Sequence, residues 1–231
     1  MNAEKKLLLT KKNLFSICLV FITAILITWT GIAKKQETIN MIPLYVSLIV
    51  SLLQTRANRY ASLIGGINSL IYAAVYFSFK LYASAGSCIL ISFPFQVLTF
   101  IRWSKNAYKQ STTFRRLTPK QLILTGAGFV LSFVILQICM TAAGSSYRML
   151  DNTLTLIGIL VYILTLFSFI EYSWLMLLTG AINIVLNIQM MIDYPAQITY
   201  LIYSLYSFVC IIMQFFAVRS LYKEQRALAG K

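Results

Sequence analysis

Eight stretches of this chain are each apolar over roughly the thickness of a lipid bilayer, and that pattern leaves few folds open. They run Leu14 to Ala33, Ile39 to Thr55, Tyr60 to Phe79, Ala83 to Ile101, Gln121 to Ala143, Thr153 to Ile170, Ser173 to Met191 and Ala196 to Leu221. A membrane-crossing helix needs about 20 mostly apolar residues, with a range of roughly 17–25. In hydrocarbon the backbone must satisfy its own polar groups, so such runs become helices. The second run is the shortest and carries Pro43 near its start. The charge content points the same way. Only 11% of residues are charged, against about 25% in a soluble domain, too few to cover a globule in water. Lys34-Lys35 follow the first run where a signal peptide would have a small-residue cleavage site, so that run reads as a helix that stays.

Several function classes fall away. The chain has no histidine, which removes histidine acid–base chemistry and histidine metal sites. Cys18, Cys88, Cys139 and Cys210 lie far apart in apolar stretches, so they read as small buried thiols rather than a zinc or redox motif. No phosphate-cradling GxxxxGK[ST] loop is present. No catalytic residue, metal site or cofactor is therefore expected, and the chain is not read as an enzyme. A net charge of +14 would suit a nucleic-acid binder only on a solvated surface, which this chain lacks.

In a membrane protein that basic excess sets orientation. With eight spans, sixteen Lys and Arg fall on the side that holds both termini, and four (Lys34, Lys35, Lys80, Arg148) on the other. The termini are therefore expected in the cytoplasm. The segment from Arg102 to Lys120 is the densest basic stretch. It reads as a topology-setting loop, with anionic lipid or a cytosolic partner as its alternative use.

The chain also contains two similar thirds. Spans 2–4 can be laid on spans 6–8 with an offset of 115, so that Gly66-Ile67-Asn68 falls on Ala181-Ile182-Asn183 and Tyr72 on Asn187. Past Asp193-Tyr194-Pro195 the offset becomes 118, and Gln96 falls on Gln214. Both trios start on the same side of the membrane, which makes the repeat parallel. The expected architecture is an all-α membrane protein of eight transmembrane helices: an extra N-terminal helix (1–38), a first three-helix bundle with the basic loop (39–120), a linker helix (121–152) and a second three-helix bundle with a tail (153–231). Such repeats place a substrate site near mid-membrane, between the bundles.

The polar residues at that depth are the candidate site. Asn68 and Asn183 lie near the middle of their spans. An amide in hydrocarbon must have its hydrogen bonds met, so both should face protein or a cavity. Tyr72 and Asn187 follow one helical turn later. Gln96 and Gln214 sit in the closing helix of each bundle, Tyr203 in the last, and Trp174 at a span end that can reach the mouth of the pocket. Interhelical hydrogen bonding is the plain alternative for each amide. As a set they suit a small polar molecule with a flat ring. The six acids, Glu4, Glu37, Asp151, Glu171, Asp193 and Glu224, all fall at or outside span ends. Coupled carriers usually keep an acid at mid-depth, so facilitated diffusion is favoured. Pro94 reads as a hinge or a static kink. Trp29, Trp103 and Trp174 read as interfacial anchors.

With these residues in view, the chain resembles the PnuC family of bacterial vitamin transporters, the nicotinamide riboside carriers. The resemblance rests on Asn58-Arg59-Tyr60, Gly66-Ile67-Asn68-Ser69, Lys80-Leu81-Tyr82-Ala83-Ser84 and Arg102-Trp103-Ser104 in the first half. In the second it rests on Asp151, Glu171-Tyr172-Ser173-Trp174, Ala181-Ile182-Asn183 and Tyr200-Leu201-Ile202. It spans about residues 40–225. The resemblance implies a SWEET-like fold with seven core helices, a homotrimer in the bacterial inner membrane, and uptake of nicotinamide riboside or a similar vitamin or nucleoside. A separate cytosolic kinase would then trap the substrate. It carries the family's central asparagine of the second trio over to Asn183. Nicotinamide riboside carriers tend to have tryptophans four and seven residues before it, where this chain has Thr179 and Met176. Thiamine, riboflavin and deoxynucleosides stay open as ligands, and a membrane scaffold acting through the basic loop is the alternative of another class.

Overall fold

The computed structural model describes residues 3–36, 38–78, 86, 88–142, 148–193, 195 and 198–229, with side chains for all of these but 3–13, 40, 75–78, 136, 139–142, 148 and 150–152. Among the described residues the apolar runs form eight helices: α1 (Ala3–Ala33), α2 (Thr38–Gln54), α3 (Tyr60–Ser78), α4 (Phe93–Lys105), α5 (Pro119–Ala142), α6 (Arg148–Leu166), α7 (Tyr172–Asp193) and α8 (Ile198–Ala229). Leu14–Ala33, α7 and α8 are each long and apolar enough to cross a bilayer. Met41–Gln54, Tyr60–Ala74, Pro119–Ile135 and Thr153–Leu166 are shorter apolar helical stretches.

The prolines act differently. Pro43 stays inside α2 and is fully buried, so tertiary packing overrides its missing N–H. Pro94 sits in the first turn of α4, directly after a π-helical turn, Cys88–Ser92. A prolyl ring cannot donate to the carbonyl one turn back and crowds it, and a widened turn in front of it relieves that conflict. From residue 88 on, the expected fourth span is thus a π turn followed by an α-helix, while 83–85 and 87 lie outside the described residues.

α2, α3 and α4 pack in sequence, as do α6, α7 and α8. The two trios meet through α2 against α8 and α4 against α6, while α1 leans on α2 and α8, and α5 packs against α6. One core cluster joins α1, α2 and α8 through Ile27, Met41, Leu44, Leu48, Tyr206 and Cys210. The other, around Trp103, Phe114, Leu164, Phe169, Tyr172 and Val218, sits where the basic segment folds back. Outward faces are apolar: Phe21, Ile25, Trp29 and Ile32 on α1 and Ile123, Leu124, Val130, Leu131 and Ile138 on α5 are exposed. Apolar surface on that scale suits lipid, not water. Cys18 is exposed on α1 rather than buried.

The basic segment is built, not slack. Ala107–Tyr108 (β1) and Ser111–Thr112 (β2) form a small antiparallel hairpin. Gln225 on α8 clasps it, donating from Nε2 to the Thr112 carbonyl at 2.8 Å and accepting from the Phe114 N–H at 2.8 Å. Arg115 pairs with the α6–α7 turn: its N–H donates to the Ser168 carbonyl, and its carbonyl accepts from the Ile170 N–H, both at 3.0 Å. That turn ends α6 at Leu166, four residues short of the expected span, because Ser168 takes a positive φ of 60°.

Candidate functional site

Between the two trios lies a cavity of about 400 Å³ with walls from α2, α3, α4, α6, α7 and α8. That volume falls in the roughly 300–1,000 Å³ range of small-molecule sites. No Asp, Glu, Lys or Arg is among the described residues lining it. Its polar groups are amides and hydroxyls.

On one side Ser69, Ser92, Gln96 and Tyr162 form a network. Gln96 Nε2 donates to Ser69 Oγ at 2.9 Å and to Ser92 Oγ at 3.0 Å. The two serine hydroxyls lie 2.7 Å apart, and Ser92 Oγ lies 3.0 Å from the Tyr162 hydroxyl. This ties α3 and α4 to α6 across the trios. Gly65 makes room for it, since a Cβ there would stand 2.1 Å from Gln96 Oε1.

Two carbonyl oxygens in the wall are left over. Asn68 Nδ2 donates to the Pro43 carbonyl at 3.1 Å and to Ser47 Oγ at 2.8 Å, which fixes the amide against α2. Its Oδ1 is buried and has no hydrogen-bond partner. Gln214 Nε2 donates to the Tyr172 hydroxyl at 3.2 Å, and its Oε1 is likewise buried and unpartnered. Leaving a buried acceptor unmet costs about 1–3 kcal/mol. Each of these cavity-lining residues thus carries one buried acceptor that the described protein groups leave unmet.

One end of the cavity is floored by aromatic rings. Trp103 and Tyr172 line it, and Phe114 stands behind them, edge-on to Trp103 with ring centroids 5.7 Å apart. All three are buried. Trp103 Nε1 donates to the Thr165 carbonyl at 2.8 Å, which locks α4 to α6.

Of the residues singled out from the sequence, Asn68, Tyr72, Gln96, Tyr203 and Gln214 line the cavity together. Asn183, Asn187 and Trp174 are not in its wall. Asn187 Nδ2 donates to the Asn183 carbonyl at 2.8 Å and to Asn183 Oδ1 at 3.1 Å, so this contact runs along α7. Trp174 is 54% exposed and packs edge-on against Phe215. Trp103 is no interfacial anchor; it is 3% exposed and part of the floor. Ser92, Trp103 and Tyr172 were not marked as site residues by their sequence alone. The signal for Ser92 was its position one turn before Gln96 on the same face. Glu171, Asp193 and Glu224, the acids with described side chains, are all absent from the wall. Glu171 instead accepts from the Leu117 N–H at 3.3 Å and approaches Arg116 at 3.7 Å. Glu37 lies outside the described residues, as do the side chains of Glu4 and Asp151.

Comparison with known proteins gives two findings. The family described as nicotinamide mononucleotide transporter matches residues 37–216. A crystal structure of the vitamin B3 transporter PnuC is similar in fold, with a TM-score of 0.74 over 91% of each chain, at 17% sequence identity. No curated protein sequence matches the chain significantly.

Proposed function

The chain belongs to the nicotinamide mononucleotide transporter family, multi-pass membrane transporters rather than enzymes, and from that premise we propose that it carries nicotinamide riboside or a similar vitamin or nucleoside by facilitated diffusion. Asn68, Tyr72, Gln96, Tyr203 and Gln214 hold the substrate in the cavity between the trios. Asn183 and Asn187 hydrogen-bond along α7 instead. The observation that carries this reading is the uncharged polar cavity with its two unmet carbonyl acceptors, Asn68 Oδ1 and Gln214 Oε1. Hydroxyl donors of a neutral ligand fit such acceptors, and aromatic walls fit a flat ring. The family resemblance adds a separate cytosolic kinase that traps the substrate, and the lack of a GxxxxGK[ST] loop in the chain agrees with it.

The architecture is read as two parallel three-helix repeats, α2–α4 and α6–α8, joined by α5 and preceded by α1, with eight membrane crossings. Swapping the trios exchanges the α2–α8 contact with the α4–α6 contact, as a two-fold axis along the membrane normal requires. The distribution of basic residues supports cytoplasmic termini in the bacterial inner membrane. The homotrimer and the SWEET-like description rest on the family resemblance.

A second reading concerns the ligand. Met176 and Thr179, which stand where nicotinamide riboside carriers tend to have tryptophan, both line the cavity. This favours a related ligand such as thiamine, riboflavin or a deoxynucleoside. A binding screen of these compounds beside nicotinamide riboside, followed by proteoliposome uptake of whichever binds, decides between the two. Uptake by facilitated diffusion is expected to equilibrate and to survive protonophore and sodium ionophore. Accumulation that collapses with either gradient, in vesicles without a kinase, would defeat it.

A further inference from the structure

A second cavity, of about 490 Å³, shares no lining residue with the first and lies between the end of α8, the α6–α7 turn and the basic segment. Its lining is Arg116, Ile170, Arg219, Tyr222, Lys223, Arg226 and Ala227, which brings four cationic side chains to one hollow. Arg219, Lys223 and Arg226 share one face of α8 because they are spaced by four and three. Arg116 reaches in from the opposite wall.

Like charges gathered this way repel unless an anion meets them. Among the described residues, one acid partly meets them. Glu171 stands 3.7 Å from Arg116, and its other oxygen takes the Leu117 N–H. Glu224 is bound to Lys109, whose ammonium that hydrogen bond keeps charged to higher pH than usual. Arg219 is also held in place: its guanidinium lies over the Trp174 ring at 4.7 Å and the Phe215 ring at 4.6 Å. Its Nε is buried with no hydrogen-bond partner. A planar guanidinium fork held by stacking, flanked by Lys and Arg, can pair two of its N–H groups with two oxygens of a tetrahedral phosphoryl group.

We propose that this hollow is a binding site for a phosphoryl group, separate from the transport cavity. The same chemistry is offered by an anionic lipid headgroup and by a soluble phosphate, and the test separates them. The full chain, purified in detergent and stripped of lipid, is titrated with phosphatidylglycerol, with diacylglycerol, which lacks the phosphoryl group, as the control, and separately with inorganic phosphate. Saturable binding of phosphatidylglycerol alone assigns the lipid source, and of phosphate alone the soluble source; binding of both assigns a site indifferent to what bears the group. In each case K223Q/R226Q, at exposed positions, is expected to weaken binding about tenfold or more. K105Q/K120Q removes the same charge outside the hollow and is expected to stay within about twofold. R219Q tests the stacked guanidinium and should weaken binding similarly, with thermal unfolding showing that the protein remains folded. No saturable binding of either probe, or equal weakening by the two double variants, overturns the site.

Discussion

Asn68 and Asn183 occupy matching positions under the 115-residue offset, yet their surroundings differ. In the first trio, Asn68 is pinned to α2 by the Pro43 carbonyl and Ser47 Oγ, which leaves its buried Oδ1 without a partner. In the second, the same offset puts Gly158 and Tyr162 where Pro43 and Ser47 stand. The Tyr162 hydroxyl is engaged by Ser92 across the trios, and Asn183 accepts from Asn187 on its own helix. The closing helices differ the other way. Gln96 is tied into the Ser69–Ser92 network, whereas Gln214 keeps a free carbonyl. Under the proposed repeat, each trio leaves one buried amide oxygen unmet, but at non-equivalent positions.

The largest effect expected separates the two asparagines. Asn68→Leu removes the acceptor and both anchoring bonds, and uptake in proteoliposomes should fall by about 10- to 100-fold, the equivalent of one to two charge-neutral hydrogen bonds with a buried partner left unmet. Asn183→Leu should stay within about threefold. The reverse order would mean that sequence equivalence, not the observed pairing, decides the role. Gln214→Leu comes next, with about a tenfold loss, and its partner Tyr172 loses a donor at the same time.

Gly65→Ala is a smaller perturbation of the first trio. Its new Cβ would press on Gln96 Oε1, the far end of a flexible side chain. The amide is expected to swing away from Ser69 and Ser92 at modest stability cost, about 1 kcal/mol, and uptake to drop several-fold. Gly180→Ala in the second trio meets the Phe208 ring at 2.7 Å instead. A ring held between helices gives way less, so this variant should lower thermal stability by about 1–3 kcal/mol and test α7–α8 packing rather than the cavity.

The helices were legible because apolar runs of bilayer length admit little else. Helix ends were less so. α1 begins at Ala3 and α8 runs to Ala229, since charged residues past the apolar run can extend a helix without being part of a span. The stretch Phe167 to Ile170 reads as apolar helix but turns away, because Ser168 and Phe169 serve a pairing with Arg115 that is remote in sequence. The hairpin at 107–112 has the same cause: the clasp that holds it comes from Gln225. The cavity's amides stood out because polar groups in hydrocarbon are rare. Which way each amide faced did not, because that depends on neighbours such as Ser47 and Tyr162 on other helices.

The two tryptophans at span ends give the sharpest contrast within one residue type, and Trp174→Leu the smallest expected effect on uptake. From the sequence both read as interfacial anchors, but Trp103 is 3% exposed and Trp174 is 54% exposed. Trp103 holds the cavity floor through its bond to the Thr165 carbonyl and its contacts with Phe114 and Tyr172. Trp103→Leu removes that bond and a buried ring, so a loss of about 3 kcal/mol or more in stability is expected. Trp174→Leu removes a ring that lies outside the cavity, and uptake should change by less than about twofold. Uptake and thermal unfolding of the two variants, measured side by side, check the contrast. If Trp174→Leu abolishes uptake while the protein stays folded, the substrate path extends beyond the cavity wall to the α7–α8 face, and the contrast between buried floor and exposed rim fails.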